Sequence, residues 1–243
     1  MDLELSSQAK PRGNEKKPRI PKSERGLVRY ESLLDATDRL LIELEPDEVG
    51  LYQIAEEANA SPSSVYHFFP TKEAALLALA HRYLEGIRDL DRMTFDVGQL
   101  ESWQDLMKLD HENARTYYNS HPPALKLLFS GYGGIESRKL DERYTSEIVN
   151  SMYERYNSVF HMPKTKNENL MFTICFAILD SIWAVSYRRH GHISPDFLRE
   201  GHAACVAYCR RYLPERTVPR EDVQRSFASR LVSMSDILGH PAS

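Results

Sequence analysis

The stretch from Val49 to Glu73, VGLYQIAEEANASPSSVYHFFPTKE, restricts the fold more than any other part of the chain. Leu51, Ile54, Ala55 and Ala58 recur every three or four residues, the spacing of a helix with one buried face. The pattern breaks at Asn59-Ala60, and Asn tolerates the left-handed conformation that a chain reversal needs. Ser61 is a good N-cap and Pro62 suits a first helical position, so a second helix is expected from Pro62 to about Phe69. Thr71 caps another helix, and Glu73 complements its positive end. Two short helices joined by a tight turn make a helix-turn-helix, whose second helix fits the DNA major groove. Val65 and Phe68 are expected to face inward, leaving Ser63, Ser64, Tyr66 and His67 outward.

The flanks extend this unit. Leu27, Tyr30, Leu33, Leu34, Thr37, Leu40, Leu41 and Leu44 predict a helix over 24–44, stopped at Glu45-Pro46-Asp47. After Thr71 a helix carrying Leu76, Leu77, Leu79, Ala80, Tyr83, Leu84 and Ile87 runs to about Met93. The resulting division is an arm at 1–23, a DNA-binding domain at 24–70, a connecting helix at 71–93, a helical domain at 94–213 and a tail at 214–243.

Ile54-Ala55, Ala58, Ser61 and the run from Val65 to Ala74 (VYHFFPTKEA) resemble the DNA-binding signature of the TetR family, over about a quarter of the chain. Asn59 stands where that family often has Gly, and Gly50 where it often has a Thr cap. The resemblance implies an all-α fold: an N-terminal three-helix DNA-binding domain and a C-terminal helical domain for effector binding and dimerisation. It also implies double-stranded operator DNA as partner, a homodimer and a small-molecule effector; no catalytic role and no cofactor are expected.

Charge qualifies the DNA reading. The protein is acidic overall, with a formal net charge of -4. Between Tyr30 and Arg92, 13 acidic residues face Arg39, Lys72, Arg82, Arg88 and Arg92. Basic residues collect instead in the arm, where Lys10, Arg12, Lys16, Lys17, Arg19, Lys22, Arg25 and Arg29 oppose only Glu15 and Glu24. Pro11, Pro18 and Pro21 mark this arm as disordered in the free protein, able to follow DNA phosphates by counterion release. Ser63, Ser64, Tyr66 and His67 include no Arg, Asn or Gln for a bidentate base contact, so modest direct readout is expected. Tyr66 and Lys72 are the expected phosphate anchors, aided by backbone N–H groups at the Thr71 helix start.

Beyond Asp96 the patterns stay helical, without strand-type alternation. Helices are expected over Gln99–Ser120, from Pro122 through Phe129, over Glu136–Met162, over Asn167–Arg189 and from Pro195 to about Leu213. A weak helical pattern follows from Asp222 to Leu238. Trp103, Met107, His111, Tyr117, Tyr118, Phe129, Tyr144, Met152, Phe176, Asp180 and Trp183 form the candidate effector site, suited to an apolar or amphipathic ligand if they do not simply fill the core. The resemblance implies that the last two long helices pair with their mates. Phe172, Leu179, Ala203, Ala204, Ala207 and Tyr208 are the expected dimer-interface residues.

Other readings stay open. His202, Cys205 and Cys209 share one helical face and could sense metal or oxidant, although no metal is assigned. The C-terminal domain could bind a protein partner without sensing. Three cysteines in apolar helical patterns suit a reduced cytoplasm, and no apolar core follows Met1. The richest apolar run, Leu170 to Val185, is interrupted by Thr173, Asp180 and Ser181, short of the ~18 residues of a membrane span. No Gly-rich phosphate loop or nucleophile elbow suggests an enzyme.

Overall fold

The computed structural model describes residues 17–90, 100–131, 134–164 and 167–220, without the side chains at 88, 90, 134–145 and 147. Among them are nine helices and one isolated antiparallel bridge, Phe160 to Pro219. The chain divides into two compact units, Met1–Leu79 and Ala80–Ser243.

The first unit holds α1 (Glu24–Glu43), α2 (Leu51–Glu57), α3 (Pro62–Phe68) and the opening turns of α4 (Lys72–Leu90). Local chemistry sets each start. Ser23 caps α1 by accepting from Gly26 N at 3.2 Å, Gln53 reaches back to Gly50 N at 2.7 Å before α2, and Thr71 Oγ1 accepts from Ala74 N at 3.2 Å in α4. Asn59 takes a positive φ of 47° between α2 and α3, as the turn requires. Leu33, Leu41, Ile54, Val65, Phe69 and Leu79 are wholly buried, and each contributes roughly 1.5–3 kcal/mol by leaving water.

Within the second unit lie α5 (Trp103–Ser120), α6 (Pro122–Phe129), α7 (Gly134–Val159), α8 (Glu168–His190) and α9 (Pro195–Cys209). Helix α8 packs on α6, α7 and α9, while α5 packs on α6 and α9. Gly191 ends α8 at φ 73°, a conformation most side chains resist. The turn beyond it is clamped by α5: Asn119 Oδ1 accepts from Ile193 N at 2.9 Å, and Arg115 Nε donates to Ile193 O at 2.8 Å.

Two expectations change, and the tail, whose order the sequence left open, is partly structural. Residues 17–23, assigned to a disordered arm, are held against α3: Arg19 N donates to Phe68 O at 2.8 Å. Part of the tail is structural, because residues 214–220 form a strap across the second unit. Trp103 Nε1 donates to Pro214 O at 2.8 Å, Trp103 N donates to Thr217 Oγ1 at 3.2 Å, and His161 N donates to Val218 O at 2.9 Å. Finally, α8 is long and apolar enough to cross a membrane by length and composition, with mean hydropathy 1.7 over 18 residues. Its polar interruptions lower that average too little to exclude a span, and only 28% of the window is buried inside the chain. The weak helical pattern at 222–238 lies outside the described residues.

Candidate functional site

Helix α3 is amphipathic over barely two turns. Val65 and Phe68 are buried beneath it, and Phe68 and Phe69 set their rings 5.8 and 5.1 Å from Tyr30 of α1. Ser63, Tyr66 and His67 are exposed, and Ser64 is half-buried. Ser61 Oγ accepts from Ser64 N at 3.3 Å and lies 3.0 Å from Ser63 Oγ, so its oxygen is largely committed to the cap. Tyr52 of α2, not singled out from the sequence, is exposed and stands edge-on to Tyr66 at 6.2 Å. The two phenols extend the polar face of α3 onto α2. The signal for Tyr52 was its place one residue into α2, off the buried face of Ile54 and Ala55.

Basic groups border this face. Arg19 is fixed at the C-terminal end of α3, where its guanidinium Nη1 also reaches His67 O at 3.4 Å. Lys17, Lys22 and Arg25 are exposed beside it in sequence, while Lys16 falls outside the described residues. Lys72 is half-buried, and its ammonium donates to Asp47 O at 2.6 Å. That contact orients Lys72 and leaves two of its three donors for another acceptor. Thr71 is half-buried and spends its hydroxyl oxygen on the α4 cap.

In the second unit the expected effector residues separate into groups. His111, Tyr118, Phe129 and Trp183 meet: Trp183 lies 6.2, 6.0 and 6.5 Å from the rings of His111, Tyr118 and Phe129. Met107 is buried one turn before His111. Trp103 is buried too, but its indole N–H is used on the 214–220 strap. Tyr117 turns away toward α4, where its hydroxyl donates to Tyr83 O at 3.3 Å. Met152, Phe176 and Asp180 are half-buried, and the Tyr144 side chain lies outside the description. Burial, with neighbouring His202 adding to it, pulls the His111 pKa down to about 3. Asp110, adjacent in sequence, points to α7 instead, where Arg155 Nη2 donates to its Oδ1 at 2.9 Å. Burial raises the Asp110 carboxyl despite the opposing pull of Arg155 and Tyr156.

A family model of bacterial regulatory proteins, tetR family, matches residues 33–79, which span α1 to the opening of α4. Residues 33–79 therefore match a DNA-binding domain of the tetR-family type. HTH-type transcriptional regulators from two strains of Mycobacterium tuberculosis are 36% identical over 50 residues, 21% of this chain. The match spans 25% of those relatives' length. A TetR-family transcriptional regulator from Streptomyces coelicolor superposes with a TM-score of 0.58 at 18% identity, covering 75% of this chain and 98% of that one. A TetR regulator from Rhodococcus sp. RHA1 gives 0.58 at 19% identity, covering 77% and 98%. SmeT, the repressor of the Stenotrophomonas maltophilia multidrug efflux pump SmeDEF, gives 0.55 at 16% identity, covering 76% and 91%. These structures share the all-helical fold.

The remaining expectations divide by burial. Phe172 and Leu179 are buried inside the chain, Phe172 with its ring 5.3 Å from Tyr156, so neither offers a surface to a mate. Helix α8 is apolar all round, and sequence could not tell which face turns inward. The outward stripe is Leu170, Ile174, Ala177 and Ser181, alongside exposed Ala203 and Ala207 of α9. Ala204 and Tyr208 are half-buried. The His202, Cys205 and Cys209 set also comes apart. His202 faces His111 at 5.5 Å, whereas Cys205 Sγ donates to Cys175 O at 3.4 Å. No group of three or more His, Cys, Asp or Glu among the described residues is placed to hold a metal ion. The three thiols are buried together, and contacts with Cys205 and Cys209 raise the Cys175 pKa, opposing the reactive thiolate.

Proposed function

We propose that this chain is a transcriptional repressor that binds a two-fold operator as a homodimer and releases it when a small, mainly apolar effector occupies the second unit. The observation that carries the DNA reading is the outward face of α3. Ser63, Tyr66 and His67 stand clear of the domain while Val65 and Phe68 anchor it. Hydroxyls and an imidazole can meet base edges, and Arg19, Lys22 and Arg25 bring positive charge to the phosphates. SmeT, similar in fold, is a repressor, which favours that sign of regulation.

The dimer reading is supported by the exposed apolar stripe of α8, where Leu170 is 54% and Ile174 36% exposed. Small Ala203 and Ala207 beside it allow close helix approach. Sensing is supported by the aromatic and histidine cluster around Trp183. Helix α4 belongs in sequence to both units, so a shift of its second half on effector binding would change the reach of the paired α3 helices. The response is then set by the effector's differential affinity for the two states.

Selection from a pool of random-sequence duplexes by the full chain tests this reading. Enrichment of a motif with two-fold symmetry is expected, with half-sites about one helical turn apart or a multiple of it. A pool that stays random after repeated rounds, with the protein folded, would overturn the proposal.

A further inference from the structure

We infer that His111 of α5, Trp183 of α8 and His202 of α9 form the polar end of the effector site, and that this site takes an uncharged, mainly apolar molecule bearing a hydroxyl or carbonyl oxygen. The inference rests on the sensor reading above and names the ligand class for it.

Its basis is three buried nitrogens in one ring cluster. His111 Nδ1, Trp183 Nε1 and His202 Nδ1 have no hydrogen-bond partner among the described residues. His111 is 4% and Trp183 3% exposed, so water does not reach them from the surface. The large majority of buried side-chain polar atoms in folded proteins are paired, and each unpaired one costs stability. Three together, with His111 lying 6.2 Å from Trp183 and 5.5 Å from His202, mark a place that serves something other than folding. Tyr118 and Phe129, 5.1 Å apart, supply an aromatic wall beside Trp183. Gly201 keeps the indole edge clear, because a Cβ there would fall 3.6 Å from Trp183 Nε1 and 2.9 Å from Leu179 Cδ1.

The chemistry of the occupant follows from donors and charge. An indole N–H only donates, so the ligand must offer an acceptor oxygen. Burial keeps His111 neutral, and a neutral imidazole can donate or accept according to its tautomer. The charges acting on His202 are Lys108, Glu112 and Asp105: exposed Lys108 pairs with Glu112 at 4.0 Å, and Asp105 accepts from the Glu101 and Ser102 backbone, while Asp110 beside His111 is held by Arg155 at 2.9 Å. A carboxylate would lose its hydration here without gaining a counter-charge, whereas a neutral oxygen loses little and satisfies orphaned nitrogens.

The chain has two tryptophans, which gives a direct test. The full protein, labelled with 15N-tryptophan, shows two indole N–H signals, assigned through Trp183→Phe. It is titrated with naphthalene, 1-naphthol, 1-naphthaldehyde and 1-naphthoate. The two neutral oxygen-bearing probes are expected to move the Trp183 signal while leaving that of Trp103, which donates to Pro214 O. Naphthalene and 1-naphthoate are expected to bind at least tenfold more weakly. His111→Leu is expected to raise the melting temperature, by removing an orphaned polar group, and to weaken 1-naphthol about tenfold. Stronger binding by 1-naphthoate would overturn the ligand class. A Trp183 signal that no probe moves would overturn the site, leaving the nitrogens to buried water. DNA affinity is measured alongside: a probe that moves Trp183 and leaves DNA affinity unchanged supports the site and contradicts the sensor reading beneath it.

Discussion

The backbone N–H of Arg19 donates to the carbonyl of Phe68 at 2.8 Å, tying the end of the basic arm to the last turn of α3. A carbonyl at a helix C-terminus has no partner within the helix, and here the arm supplies one. The same hydrogen bond brings the charge of Arg19 to the end of α3 in an otherwise acidic domain. Deleting residues 1–20 is therefore expected to weaken DNA binding and flatten its salt dependence. Every phosphate that the truncated chain no longer neutralises lowers the log–log salt slope by about 0.9. An unchanged affinity and slope would contradict this role.

The packing of Tyr117 on α4 sets up a reversal of sign. A Cβ on Gly86 would fall 2.1 Å from Tyr117 Oη and 2.8 Å from its Cζ. Gly→Ala inside a helix ordinarily stabilises by roughly 0.5–1 kcal/mol. Gly86→Ala is expected to destabilise the natural chain, yet to stabilise a Tyr117→Ala background. Chemical denaturation of the four proteins of this double-mutant cycle measures the coupling. Additive effects would show that Tyr117 yields freely.

His111 makes stability depend on pH. Its folded pKa is about 3, against an ordinary value of 6.5. Above 6.5 both folded and unfolded chains hold it neutral, and its contribution to stability is constant. As pH falls from 6.5 toward 3, only the unfolded chain takes up the proton, so stability drops by about 1.4 kcal/mol per unit. Between pH 7 and 5 the natural protein should lose on the order of 2 kcal/mol more than His111→Leu. Urea melts at both values decide it, and parallel losses would contradict the burial of His111. His202, whose pKa is also lowered, adds in the same direction within the natural protein.

Arg155 and Asp110 cross from α7 to α5 with side chains only 9% and 10% exposed. Arg155→Met leaves the carboxyl buried without its partner and is expected to cost roughly 3–5 kcal/mol. Arg155→Met with Asp110→Leu should recover most of that loss, because an apolar pair of similar volume needs no charge compensation. Thermal melts of both variants provide the comparison. Equal destabilisation of the single and double variants would mean that packing, rather than charge, holds this position.

What the sequence made legible was local. Ser61 and Pro62 start α3 and Asn59 takes its positive φ because each depends on residues within a few positions. Contacts between distant segments were not legible. Nothing near Trp103 announces that its indole is reserved for Pro214, 111 residues away. Helical spacing grouped His202 with Cys205 and Cys209, but the neighbouring helices separate them, α5 facing the histidine and α8 the thiols. Periodicity also failed on α8, where apolar residues surround the axis and no stripe distinguishes Phe172, in the core, from Ile174, outside it. The outward face of α3 was readable for the opposite reason, since its seven residues combine buried Val65 and Phe68 with exposed Ser63, Tyr66 and His67.

The central claim is that the outward face of α3 reads DNA. Its most direct measurement is the affinity of the natural chain and of Ser63→Glu/His67→Glu for the duplex enriched by selection, each followed by fluorescence anisotropy over a salt series. Both substituted positions are exposed, so helicity and melting temperature should stay unchanged. The variant is expected to bind roughly 100-fold or more weakly, because base edges go unread and the phosphates repel the new carboxylates. Equal affinity of the two proteins, with both folded, would contradict the account.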